Sequence, residues 1–295
     1  MTKPTIGFIG LGLMGAAMVG RLQSLGYSLT VMGNVSRPRI DAAVAAGAVE
    51  AKTAKAVAEA SDIVMLCMDT SHSVEGRMRG DDGVISGLKP GTIVIDFGTS
   101  LPASTQALGE EVAAVGGTYL DAPLGRTPAQ AVDGLLNIMC SGDADAFAKV
   151  RPVLEDLGEN VFHLGKLGSG HTIKLINNFF GMTTASAMAE AFAMADQAGV
   201  DRQDLYDVMS AGPLRSAMMD FVKAYGVDGD PSKLGFSIRN ASKDVGYYRQ
   251  MATDLDAKSI MSVGADEAFS SAVKQDMGDK MVSEMVDFFT SNLRN

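Results

Sequence analysis

The stretch IGFIGLGLMGAAM, residues 6–18, reads as an apolar strand that turns directly into a helix, with Gly10, Gly12 and Gly15 at the turn. Thr5 to Ile9 has the pattern of a buried strand, and a helical pattern runs from Leu13 to Leu25. In that context each glycine has its own task. Gly10 permits a tight turn, Gly12 lets the backbone approach a pyrophosphate, and Gly15 lets the helix pack close to the strand. The first helical N–H groups and the helix dipole then attract the anion. Gly10, Leu11, Gly12, Leu13, Met14 and Gly15 are therefore the expected cofactor loop of a dinucleotide-binding domain.

Outward from this turn, strands are expected near 5–9, 28–32, 62–68, 92–96 and 118–121, alternating with helices near 13–25, 37–46, 53–60, 71–79 and 102–115. That alternation predicts a doubly wound parallel sheet of the Rossmann type. Leu135 to Cys140 and Asn160 to Leu164 read as two further strands that extend the sheet at one edge, around a helix from Asp143 to Leu157. A glycine-rich joint follows at Gly165 to Gly170. A helix from about His171 to Ala198 is apolar on nearly every side, which predicts burial all round. Shorter helices are expected near 201–211, 214–225, 236–254, 259–274 and 278–293. The fold class is α/β, with a Rossmann domain over 1–165, and an all-α domain over 166–295 joined to it by the long helix.

Composition narrows the function. The chain has 295 residues, 46% of them hydrophobic, and a net charge of −10. The acidic balance argues against a nucleic-acid binder or an anionic-membrane binder, though not against a local basic pocket. Cys67 and Cys140 lie in apolar runs and read as buried thiols of a reducing compartment. The three histidines have no metal-ligand spacing, so no metal is expected. No charged n-region or cleavage site is seen, which makes the cytoplasm the expected location.

The second strand should end beside the adenosine ribose, where an acid would select NAD. The chain instead has Gly33, Asn34, Val35, Ser36, Arg37, Pro38 and Arg39. Asn34, Ser36 and Arg37 offer amide, hydroxyl and guanidinium donors suited to a 2′-phosphate, so NADP is favoured over NAD. Solvated arginines at a helix start are the plainer alternative. At the domain joint, GSGHTIKLINNFFG (168–181) puts Lys174, Asn178 and Gly181 at i, i+4 and i+7, on one helical face. A lysine on an apolar helix either pairs with a carboxylate or has its pKa lowered enough to donate a proton.

Four motifs together carry a resemblance that spans essentially the whole chain. GLGLMG (10–15), DAPLG (121–125), Gly170 to Lys174 with Asn177-Asn178, and Lys243-Asp244 occur in the order found in β-hydroxyacid dehydrogenases. The resemblance implies an active site in the cleft between the domains and a homodimer or homotetramer. It implies Lys174 as general acid in aldehyde reduction and as base in the reverse direction, with Asn178 orienting the reacting oxygen. Asn177 belongs to the same substrate segment. Lys243 is implied to line the nicotinamide and substrate cleft, and Thr99 to contact the nicotinamide ribose. Met68-Asp69 stands where the family usually has Leu-Pro.

The segment after Asp121 departs from the family. The usual Ser-Gly-Gly, which holds a substrate carboxylate, is replaced by Gly125-Arg126-Thr127, after Leu124. This variant is similar to that of sulfolactaldehyde reductases, although Gly181 stands where their motif presents a serine to the sulfonate. A guanidinium beside a hydroxyl suits either anion. The expectation is therefore a reductase of a short anionic semialdehyde, yielding a 3-hydroxy acid. A sulfonate-bearing substrate is the alternative. A non-catalytic dinucleotide-binding module is a third reading, and imine reduction is disfavoured because Lys174 is retained.

Overall fold

The computed structural model describes residues 3–33 and 37–293. The chain divides into two compact units, Met1–Lys174 and Leu175–Asn295.

The first unit begins with β1 (Ile6–Ile9), α1 (Leu13–Ser24), β2 (Leu29–Met32), α2 (Arg37–Ala45), β3 (Val49–Ala51) and α3 (Ala54–Glu59). It continues through β4 (Ile63–Leu66), α4 (Ser71–Met78), α5 (Val84–Gly87), β5 (Ile93–Asp96), α6 (Pro102–Ala114) and β6 (Thr118–Asp121). These six strands form one parallel sheet in the order β3-β2-β1-β4-β5-β6. That order is the Rossmann order, and its direction of winding reverses between β1 and β4, where a crevice opens at the strands' C-terminal ends. β1, β4 and β5 are buried along their whole length, as a sheet covered on both faces requires. Phe8, Met18 and Ile95 pack into the core on one face, and Val57, Leu66 and Val94 into that on the other.

The unit ends with β7 (Leu124–Gly125), α7 (Pro128–Val132), β8 (Leu136–Cys140), α8 (Ala144–Leu157) and β9 (Gly158–His163). Here the structure corrects the sequence expectation. β8 and β9 do not extend the main sheet; with β7 they make a separate three-stranded sheet, ordered β7-β8-β9. The link to β6 is an isolated antiparallel bridge between Asp121 and Ser141. Pro123 follows that bridge and has no N–H to donate, so the ladder is interrupted before β7 pairs with β8.

α9 (Ser169–Ala198) starts in the first unit and continues into the second. The second unit then adds α10 (Arg202–Ser210), α11 (Ala217–Gly226), α12 (Ile238–Asp254), α13 (Met261–Lys274) and α14 (Met285–Asn292), with short 3-10 turns at Pro231–Lys233 and Val282–Glu284. Phe192 and Phe269 are fully buried at its centre, with Ile238 and Met285 beside them. α9 is not buried all round, contrary to its composition. Ile173, Ile176 and Phe180, spaced by three and four residues, are 39%, 47% and 71% exposed, and Met194 further along the helix is 53% exposed. No helix among the described residues is long and apolar enough to cross a membrane.

Candidate active site

The loop from β1 to α1 is built as its glycines require. Gly10 has φ +101°, and a Cβ there would stand 2.3 Å from the Cys67 carbonyl oxygen. A Cβ on Gly15 would stand 2.0 Å from the Gly10 carbonyl oxygen, so neither position admits a side chain without movement. Gly12 differs: a Cβ on it would meet nothing within 4 Å. The open space is in front of a helix start whose cap makes no side-chain hydrogen bond and whose first turn holds no acid. Unpaired helical N–H groups facing open space fit a pyrophosphate. Leu11 is buried, Leu13 is 68% exposed beside that space, and Met14 packs against the core. The Met68 sulfur approaches the Gly10 turn from the loop after β4, 3.0 Å from where a Gly10 Cβ would be. Burial, with Asp96 nearby, pushes the Cys67 thiol up to about 12, so it stays un-ionised at neutral pH.

Thr99 lies on the loop after β5. Asp96, at the end of β5, shapes that loop by accepting from Gly98 N and Ser100 Oγ, each at 2.8 Å. At the end of β2, Asn34 and Ser36 lie outside the described residues. Arg37 lines a polar cavity of about 360 Å³ with Gly33, Glu50, Ala51 and Lys52. Its guanidinium donates to Glu50 at 2.6 Å and to Asp41 at 2.6 Å. The guanidinium holds the Glu50 carboxyl below the usual carboxylate range. β3, which brings Glu50 here, was not visible in the sequence.

In the 124–127 segment, Leu124 is buried and pairs with Ile138, and Gly125 pairs with Asn137. Arg126 has φ +78°, a left-handed conformation that costs a non-glycine residue about 1–2 kcal/mol. Its guanidinium donates to the Leu135 carbonyl at 2.6 Å and to the Glu159 carboxylate. Thr127 caps α7, its Oγ1 accepting from Gln130 N, while Gln130 returns a bond to Thr127 N. Both side chains thus have partners inside the segment's own neighbourhood.

A polar network that the sequence reading passed over holds the start of α9. Asp121 is fully buried, and its Oδ1 accepts from Gly168 N at 2.8 Å and from Ser141 Oγ. Its Oδ2 accepts from His171 N at 2.7 Å. Ser141 Oγ in turn accepts from Gly170 N at 2.9 Å. His171, also fully buried, has Nδ1 2.7 Å from Thr105 Oγ1 and Nε2 3.8 Å from Asp96 Oδ2. The signal in the sequence was Asp121 and His171 themselves, polar residues in two of the motifs with no partner nearby in the chain. Lys174 follows, half-buried, on the second turn of α9.

In the second unit, Asn178 is 7% exposed and donates through Nδ2 to Asp244 Oδ2 at 2.5 Å. Asp244 is 2% exposed, and its other oxygen is 3.0 Å from Lys243 Nζ. Asn178, Asp244 and Lys243 therefore form one cluster, although 66 residues separate the first two. Asn177 is exposed and reaches back to the Asn178 side-chain oxygen at 3.3 Å. A Cβ on Gly181 would meet the end of the Met218 side chain at 3.2 Å.

Comparison with known proteins agrees with this arrangement. Residues 5–165 match the NAD-binding domain model of 6-phosphogluconate dehydrogenase, and residues 168–289 match the NAD-binding model of NADP-dependent 3-hydroxyisobutyrate dehydrogenase. An NAD-dependent L-serine dehydrogenase of Pseudomonas aeruginosa is 37% identical over 69% of this chain and 68% of its own. A 2-hydroxy-3-oxopropionate reductase of Escherichia coli is 33% identical over 73% of each chain. The crystal structure of a 3-hydroxyisobutyrate dehydrogenase from Salmonella typhimurium superposes with a TM-score of 0.83 at 26% identity, over 97% of this chain and 100% of that one. The glycine cradle that opens at Gly12 and the two-part match mean that the chain belongs to the β-hydroxyacid dehydrogenase family, NAD(P)-dependent oxidoreductases acting on CH–OH groups.

Proposed function

We propose that the protein interconverts a short anionic semialdehyde and its 3-hydroxy acid, with Lys174 as the proton donor in reduction and the proton acceptor in oxidation. The observation that carries this reading is the Asn178, Asp244 and Lys243 cluster, one helical turn along α9 from Lys174. A buried carboxylate that grips the amide of Asn178 and faces an ammonium fixes donors for an oxygen and for an anion.

When bound, the nicotinamide cofactor supplies the hydride that reaches the aldehyde carbon. Lys174 Nζ gives its proton to the aldehyde oxygen, so that one hydride and one proton convert the aldehyde to the alcohol. Asn178, held on Asp244, orients that oxygen. Lys243 and the 124–127 segment, with Asn177 and Gly181 at the same stretch of α9, hold the anionic end of the substrate. The preferred cofactor is NADP, because Arg37 and Lys52 put two cations in the cavity after β2. Glu50 offsets part of that charge, and the Arg37 ion pair opens when a 2′-phosphate takes its place.

We favour a carboxylate over a sulfonate because the matched relatives are named for serine and for 2-hydroxy-3-oxopropionate, both of which carry a carboxylate. For the Arg126 guanidinium to grip either anion, it must be released from Glu159 and Leu135. The test is the initial rate of NADPH oxidation, with NADH in parallel, against short aldehydes that differ in carrying carboxylate or sulfonate. A preference for carboxylate with NADPH is expected. A preference for sulfonate would overturn the substrate assignment, and an equal or higher rate with NADH would overturn the cofactor preference.

A further inference from the structure

Asp121 takes no part in the chemistry set out above, yet it is among the most heavily bonded side chains of the first unit. Three groups donate to its carboxylate: the backbone N–H of Gly168, the backbone N–H of His171 and the hydroxyl of Ser141. Ser141 passes the restraint on, because its oxygen accepts from Gly170 N at 2.9 Å. The start of α9 is thus tied to one carboxylate at the end of β6, directly through the N–H groups of Gly168 and His171 and through Ser141 by that of Gly170. These N–H groups are the donors that a helix start leaves unpaired, and a carboxylate there also meets the positive end of the helix dipole.

The fit leaves no slack. A Cβ on Gly170 would stand 2.2 Å from the Met139 carbonyl oxygen and 2.8 Å from Asp121 Oδ2, so the helix start lies directly against the carboxylate. Met139 belongs to β8, and Ser141 follows it, bridged by backbone bonds to Asp121. β6, the small sheet and α9 therefore meet at one buried point. Lys174 stands three residues beyond His171, on the next turn of the same helix.

We propose that Asp121 is a positioning residue for Lys174: its carboxylate, with Ser141 as relay, fixes the first turn of α9 and so the place from which the lysine transfers its proton. This rests on the proton-transfer role assigned to Lys174 above. The restraint matters because proton transfer needs the donor within hydrogen-bond reach of the reacting oxygen, and a displacement of about 1 Å costs about 100-fold in rate. The substrate segment begins at Leu124, three residues after Asp121. One carboxylate thereby registers the substrate segment against the proton donor.

The test uses Asp121→Asn and Ser141→Ala in the full chain, with Lys174→Ala beside them. In Asp121→Asn the amide nitrogen must face at least one N–H or O–H donor. Should that variant fail to fold, Ser141→Ala, which removes the acceptor for Gly170 N and one donor to the carboxylate while leaving the Gly168 and His171 bonds, decides alone. The expected result is a fall in kcat of about 10-fold or more with the KM for the aldehyde little changed. The solvent deuterium isotope effect on kcat rises, because proton transfer becomes limiting. NADPH affinity, read by quenching of nicotinamide fluorescence, stays within about twofold, and hydrogen exchange at 169–174 speeds up. A lower melting temperature with unchanged kcat and isotope effect, while Lys174→Ala is inactive, would overturn the positioning role alone. Wild-type turnover in Lys174→Ala would instead overturn the role of the lysine itself, and with it the route by which Asp121 acts.

Discussion

The buried carboxylates do most to define the site, and they act through hydrogen bonds to other residues. Asp244 turns the Asn178 amide so that its Nδ2 is committed, and keeps its second oxygen 3.0 Å from Lys243 Nζ. Asp244→Asn keeps the shape and removes the charge. It is expected to lower kcat/KM by about 10- to 100-fold, or about 1.4–2.7 kcal/mol, with little change in fold content by circular dichroism. An unchanged kcat/KM would mean that Asn178 is held by packing alone. Much of this was hidden from sequence. Lys174 and Asn178 stood out by residue type and spacing, and Lys243 through the family resemblance, whereas the links Asp121 to Ser141 and His171 join positions 20 and 50 residues apart. Arg126 is the converse case. Its type and place suggested an anion grip, and only the coordinates place its guanidinium on Glu159.

Elements were legible where pattern and length agreed. β1 and α1 carry an apolar run, a glycine turn and a helical repeat, and the structure has them at Ile6–Ile9 and Leu13–Ser24. β3 has three residues at the sheet edge, with Val49 65% exposed, and so shows neither a continuous apolar run nor alternation. β8 and β9 were visible as strands, but the break from the main sheet depends on Pro123 and on a single bridge at Asp121, which strand patterns do not encode. The cofactor turn gives a prediction that separates structure from binding. Gly12→Ala is expected to cost the fold no more than about 1 kcal/mol, because its Cβ meets nothing, while NADPH affinity falls about tenfold or more. Gly15→Ala is expected to destabilise by about 1–3 kcal/mol even without cofactor, since its Cβ would stand 2.0 Å from the Gly10 carbonyl oxygen. Thermal melting with and without NADPH reads both, and equal loss of stability in the two variants would contradict the distinction.

For the whole molecule, the two-part organisation followed from the change of pattern after residue 165, but α9 shows where composition misled. A helix apolar on nearly every side was expected to be buried all round, yet Ile173, Ile176, Phe180 and Met194 remain exposed in the single chain. An exposed apolar stripe of this length marks an association surface. The protein is expected to be a homo-oligomer, and Phe180→Asp with Met194→Asp is expected to shift it toward monomer in sedimentation. A wild-type monomer at micromolar concentration would contradict this.

Lys174 is expected to move the proton while the glycine cradle holds the cofactor independently of it. The most direct test measures steady-state aldehyde reduction by wild type and Lys174→Ala across pH, together with NADPH affinity by fluorescence quenching. In Lys174→Ala, kcat is expected to fall at least about 100-fold, the lysine's limb to disappear from the pH profile, and NADPH affinity to stay within about twofold of wild type. Wild-type turnover with an unaltered pH profile would contradict it.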